Sequence, residues 1–63
     1  LDDLRSRIAL LPPKQQAALV MRYLHDLDYG VIGRALDCSP DSARANVYQA
    51  LRRLRVELAG EAT

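Results

Sequence analysis

Apolar residues recur at helical spacing in four stretches of the chain, separated by breaks at Pro12-Pro13, around Asp26 to Asp28, and at Asp37-Cys38-Ser39-Pro40. In the first stretch Leu1, Leu4, Ile8 and Leu11 share a face. The proline pair ends it, because a residue before proline is pushed out of the α region. Pro13 then opens a second helix over about 13–25, whose expected buried face is Ala17, Val20, Met21 and Leu24, with Gln15, Arg22 and Asp26 opposite. Leu19 and Tyr23 fall off that face. They are either isolated exposed apolar residues or a second contact surface for a partner.

The third stretch, about 28–36, has Asp28 as N-cap and Ile32, Ala35 and Leu36 as its expected buried side. Gly30 and Gly33 each weaken it by about 1 kcal/mol relative to alanine, so it needs tertiary support. Gly33 has a reason of its own if two helices cross closely there. The fourth stretch carries the strongest start signal: Ser39 as N-cap and Pro40 at the first helical position, where its missing N–H costs nothing. Ala43, Val47, Ala50, Leu51, Leu54 and Leu58 form its inner stripe. Ala45, Gln49 and Arg52 lie opposite, flanked by Arg44, Tyr48 and Arg53.

No period-2 alternation is present, so no strands are expected. The pattern predicts an all-α, four-helix domain with helices over about 2–11, 13–25, 28–36 and 40–58, the last two forming a helix-turn-helix around a short turn at Asp37 to Ser39.

Composition narrows the function. At 63 residues the chain is one domain at most, too small for a deep catalytic cleft. With 49% hydrophobic and 27% charged residues it does not read as a disordered tail, and its longest apolar run, Ala17 to Met21, falls far short of a membrane span. The single cysteine, Cys38, excludes a disulfide scaffold and fits an intracellular setting. A start at Leu1, without methionine or a basic hydrophobic leader, leads us to expect a single domain over 1–63 excised from a larger protein.

The formal net charge is only +1, but its distribution is uneven. Between Asp41 and Glu57 every charged residue is an arginine: Arg44, Arg52, Arg53 and Arg55. Asp2, Asp3, Asp26, Asp28 and Asp37 all precede that stretch, which makes the last helix the basic one. A basic amphipathic helix on its own is simply soluble. Preceded by a short helix and a tight turn, it has the form of a helix that enters the DNA major groove. There glutamine pairs with adenine, arginine with guanine, and an alanine methyl or aromatic edge packs on the thymine methyl.

Catalytic and metal chemistry find little support. Only one histidine, His25, and one cysteine, Cys38, are present, so neither a zinc ligand set nor a Ser/His/Asp or Cys/His constellation can be assembled, and no cofactor or metal is expected. The carboxylate pairs Asp2-Asp3 and Asp26/Asp28 sit at helix ends, where capping and solvation account for them. Tyr29 is read as a packing residue ahead of a phosphate ligand. The chain is therefore expected not to be an enzyme.

The run LPPKQQAALVMRYLHDLDYGVIGRALDCSPDSARANVYQALRRLR, Leu11 to Arg55, resembles region 4 of the sigma-70 family, in particular the extracytoplasmic-function group. That group has an LP-x-x-x-R opening, a Leu-Ser-Tyr-x-Glu-Ile-Ala segment, and then Leu-Gly/Asp-Cys-Pro-x-Gly-Thr-Val-Lys/Arg-Ser-Arg. The resemblance implies a cytoplasmic bacterial protein that recognises the minus-35 promoter element for RNA polymerase, contacts the flap of the polymerase β subunit, and is often masked by an anti-sigma factor.

Carried over by position, the resemblance implies that Arg44, Ala45, Tyr48 and Gln49 read bases while Ser42, Asn46, Arg52 and Arg53 contact phosphate. The chain departs from the pattern in several places. Gly30-Val31 replaces an acidic pair, Gly33 replaces alanine, Ser42 to Asn46 replaces Thr-Val-Lys/Arg-Ser-Arg, and Gln49 stands where a basic residue is common. Neutral Asn46 and Gln49 imply weaker phosphate attraction and a flatter salt dependence. The alternative reading is a sigma-like interaction module that binds an anti-sigma factor or polymerase with little DNA reading, with Leu19 and Tyr23 as its contact residues. A response-regulator effector domain ranks below both.

Overall fold

The computed structural model describes the backbone of residues 2–62 and the side chains of 4–55. Four helices follow one another: α1 (Asp2–Ala9), α2 (Pro13–Tyr23), α3 (Tyr29–Leu36) and α4 (Pro40–Ala62). The described residues contain no strand. The long helix α4 packs against both α2 and α3, α2 also packs against α3, and α1 adds a lighter contact with α4.

The chain breaks fall where local chemistry puts them. α1 ends at Ala9 and not at Leu11, because the segment before Pro12 tightens into i→i−3 bonds, with Leu10 N–H donating to Arg7 O (3.2 Å) and Leu11 N–H to Ile8 O (3.1 Å). This turn throws Leu10 outward at 76% exposure and sinks Leu11 into the core. Pro13 occupies the first position of α2. That helix stops two residues earlier than expected, and the chain leaves it through Asp26 in the left-handed region (φ 53°), a conformation aspartate tolerates better than most residues. Asp28 caps α3 as expected, its Oδ1 accepting from Val31 N–H at 2.8 Å.

The core consists of Leu11, Ala18, Leu19, Ile32, Ala43, Val47, Ala50 and Leu54, with Ile8, Met21, Leu27, Tyr29, Leu36, Cys38 and Leu51 packed around it. For α4 this is the predicted stripe; Leu58, its last expected member, lies outside the described side chains, and Leu1, expected on the first helix's face, lies outside the described residues. For α3 the packed side is Tyr29, Ile32, Gly33 and Leu36, and Ala35, expected inside, is exposed. Close contact at Gly33 turns the helix toward that residue and away from Ala35.

The largest correction concerns α2. Its buried residues are Ala18 and Leu19, whereas Leu24, expected in the core, is 77% exposed. Leu19, expected off the core face, is 6% exposed. Met21, also expected inside, does pack against the core and Ala17 and Val20 are half-buried, so the helix is turned by roughly a third of a revolution from the expected orientation. The cause lies in the run Ala17 to Met21: consecutive apolar residues spaced about 100° apart sweep the whole circumference, so periodicity cannot choose a side. Tertiary contacts choose instead. Gln15 and Arg22, at the two ends of the Ala18-Leu19 stripe, face the neighbouring helices rather than solvent. Arg22 donates to Leu27 O at 3.0 Å and lies over the Tyr29 ring, 4.8 Å from its centroid. Tyr29 is thus a packing residue.

The α3–α4 junction is a three-residue turn, Asp37 to Ser39. Cys38 N–H donates to Gly33 O (2.8 Å) and Asp37 N–H to Arg34 O (3.4 Å), the paired closing bonds of a left-handed helix terminus, with Asp37 (φ 58°) where glycine usually stands. Gly33 makes the junction fit. A β-carbon there would stand 2.5 Å from the Cys38 carbonyl oxygen and 3.1 Å from the Ser39 carbonyl carbon. Both neighbours are backbone and cannot swing away. Gly33→Ala should therefore lower stability by about 2 kcal/mol in urea denaturation, despite the roughly 1 kcal/mol alanine gains in helix propensity. An unchanged or raised midpoint would mean that the junction relaxes freely.

Candidate nucleic-acid interface

The outward side of α4 is built from its first residue. Ser39 Oγ accepts from Ser42 N–H at 3.0 Å and pairs with Ser42 Oγ at 3.1 Å, while Ala43 N–H donates to Ser39 O at 2.9 Å. The cap fixes where the helix begins. Complete burial of Ala43, Val47 and Ala50 fixes its rotation. With those inside, Arg44, Ala45, Tyr48 and Gln49 all come to the surface, Tyr48 at 56% exposure. The expected base-reading set therefore shares one continuous exposed surface, slim at Ala45 and bulkier at Tyr48.

Each polar member has a distinct local setting. Arg44 makes an i,i+3 ion pair with Asp41 at 3.7 Å, both side chains largely solvated, an arrangement too exposed to immobilise the guanidinium. Gln49 accepts from Gln15 Nε2 at 3.0 Å, a bond between α4 and the first turn of α2. Sequence reasoning missed Gln15, having placed it on the solvent side of α2. The signal was available in the spacing Gln15, Ala18, Leu19, Arg22, which also describes a helix face.

The expected phosphate set divides. Ser42 is exposed at the helix start, and Arg52 and Arg53 are exposed farther along, bordering with Gln15 and Gln49 a shallow polar hollow. Asn46 is half-buried, and its side-chain amide donates to Ser42 O at 3.0 Å. That bond back to the preceding turn engages the group that was expected to reach phosphate. Arg55 extends the basic surface beside Tyr48, Leu51 and Arg52.

A family model described as sigma-70, region 4, matches residues 1–54 of the chain. The chain belongs to the sigma-70 region 4 family. Region 4 is a promoter-binding part of transcription sigma factors, with promoter DNA and RNA polymerase as its partners, and the family is not an enzymatic one. No curated protein and no solved structure matches the chain.

In this region 4 domain a second surface lies apart from the exposed side of α4. Leu4, Ile8, Leu19, Val20, Tyr23, Leu24, Leu51 and Leu54 line an almost wholly apolar groove between α1, α2 and α4, and none of Arg44, Ala45, Tyr48 or Gln49 reaches it. Of the pair expected to meet a partner, Tyr23 stands on the rim at 61% exposure and Leu19 forms part of the floor; Leu24 is the more exposed neighbour. Among the described residues no three His, Cys, Asp or Glu side chains gather as a metal set, and no helix is long and apolar enough to cross a membrane.

Because the cap sets the start of α4, Ser39→Ala should cost about 1 kcal/mol of stability and accelerate amide exchange at Ser42 and its neighbours. Protection at Ser42 equal to that of the parent chain would contradict the assigned cap.

Proposed function

We propose that the chain is region 4 of an alternative sigma factor of the extracytoplasmic-function type, acting in the bacterial cytoplasm as part of a longer protein. In this reading α4 enters the major groove of the minus-35 element, with Arg44, Ala45, Tyr48 and Gln49 toward the base edges. Arg52, Arg53 and the Ser42 hydroxyl meet phosphates, giving affinity and register without sequence information. The observation that carries the reading is the rotation of α4 behind a tight helix-turn-helix junction, which buries Ala43, Val47 and Ala50 and exposes those four residues together.

The apolar groove supports a second role for the same domain. A continuous apolar surface rimmed by Tyr23 and Leu24 fits a helix of the polymerase β flap or of an anti-sigma factor. If partner binding alone is the function, substitutions at Tyr23 and Leu24 abolish complex formation while Arg44 and Gln49 variants alter no DNA measurement.

Fluorescence anisotropy with promoter and scrambled duplexes, at low and at physiological salt, tests the DNA reading. Arg44→Ala should weaken promoter binding by about 1–3 kcal/mol and relax preference at one base pair. Arg53→Ala should weaken all duplexes alike and flatten the slope of log K against log salt by about 0.9, whereas Asn46→Ala should leave that slope unchanged. Indifference to sequence at both salt concentrations would refute the reading.

A further inference from the structure

Gln15 Nε2 donates to Gln49 Oε1 across 3.0 Å, joining residues 34 positions apart. Gln15 is half-buried, and its own Oε1 is shielded from solvent with no hydrogen-bond partner among the described residues. That shielded position decides which way the amide is turned. The opposite orientation would place an NH2 group there, leaving two unpaired buried N–H donors in place of one unpaired acceptor, and orphaned buried N–H groups are the rarer and less tolerated defect. Gln15 is thereby held as a donor toward α4.

We propose that Gln15 is a positioning residue for base reading by α4: it engages Gln49 Oε1, so that Gln49 presents its NH2 edge to the DNA. The proposal rests on the reading of α4 as the groove-entering helix. An unrestrained glutamine reads adenine through two bonds, accepting from N6 and donating to N7. Gln49 with its oxygen directed at α2 acts mainly as a donor. It then favours the acceptor edges of guanine (O6, N7) or thymine (O4) over the mixed edge of adenine. The neighbouring Arg52 and Arg53 line the same hollow and place this donor beside a positively charged, phosphate-attracting rim. Selectivity at one base pair thus depends on a residue in a helix outside the helix-turn-helix.

The test is selection of binding sites by the 63-residue chain from a duplex library randomised across the minus-35 region, followed by sequencing. Parent chain, Gln15→Ala, Gln15→Met, Gln49→Ala and both double variants are compared. Gln15→Met fills the same space without a donor, so it reports on the hydrogen bond even where alanine loosens the fold. Gln49→Ala identifies the base pair that Gln49 reads.

At that pair alone, the Gln15 variants should shift preference toward adenine by about fivefold or more, and the shift should vanish in the Gln49→Ala background. An unchanged base profile in the Gln15 variants, whether or not overall affinity falls, would overturn the proposal while the groove-reading role of α4 stands. The same holds for a shift that persists without Gln49. A parent chain that selects no sequence at all would remove both.

Discussion

At Gly33 the backbone of α3 and the turn into α4 approach so closely that even a methyl group has no room. The exposed surface of α4 depends on this constraint. The closing bonds from Cys38 to Gly33 and from Asp37 to Arg34 end α3 within three residues of the start of α4, and the Ser39 cap begins the new helix without slack. Two helices joined so tightly have little freedom in their crossing angle. Burial of Ala43, Val47, Ala50 and Leu54 then sets the rotation of α4, and the exposed side follows as the complement of the buried one. A looser junction would leave the same side chains on the helix but not aimed together.

The second constraint is the way α2 is anchored. Its Ala18-Leu19 stripe is buried, and polar side chains at either end tie it to its neighbours, Arg22 to the entrance of α3 and Gln15 to the middle of α4. Charge-assisted bonding of a guanidinium to a backbone carbonyl, with an aromatic ring beneath, holds one end. The other end meets the exposed side of α4 directly. Support of the fold and contact with the exposed side of α4 therefore meet in the same helix.

How much of this the sequence reveals differs from helix to helix. α4 was legible because its apolar positions are interrupted by polar ones, Arg44, Asn46, Gln49, Arg52 and Arg53, so one stripe satisfies the pattern, and because Ser39-Pro40 marks its start without ambiguity. Asp28 and Gly33 were legible for similar reasons: a cap and a glycine each answer a specific backbone demand. α2 was not, since its continuous apolar run offers every side at once and the choice is made by partners far away in sequence. That error placed surface-exposed Leu24 in the core and buried Leu19 outside it, and concealed Gln15. The shared exposure of Arg44, Ala45, Tyr48 and Gln49 follows from the buried stripe of α4 alone, whereas Asn46 is drawn back to Ser42 by a local bond that residue identity does not disclose.

The central claim is that α4, set by the Gly33 junction, meets DNA through its exposed N-terminal half. Backbone amide chemical-shift mapping of the isotope-labelled chain, titrated with a minus-35 duplex and with a scrambled duplex of equal length, tests it most directly. The account predicts changes specific to the promoter duplex at Arg44, Ala45, Tyr48, Gln49 and Gln15, with Tyr23 and Leu24 undisturbed. Changes concentrated at Tyr23 and Leu24, or identical for the two duplexes throughout α4, would contradict it.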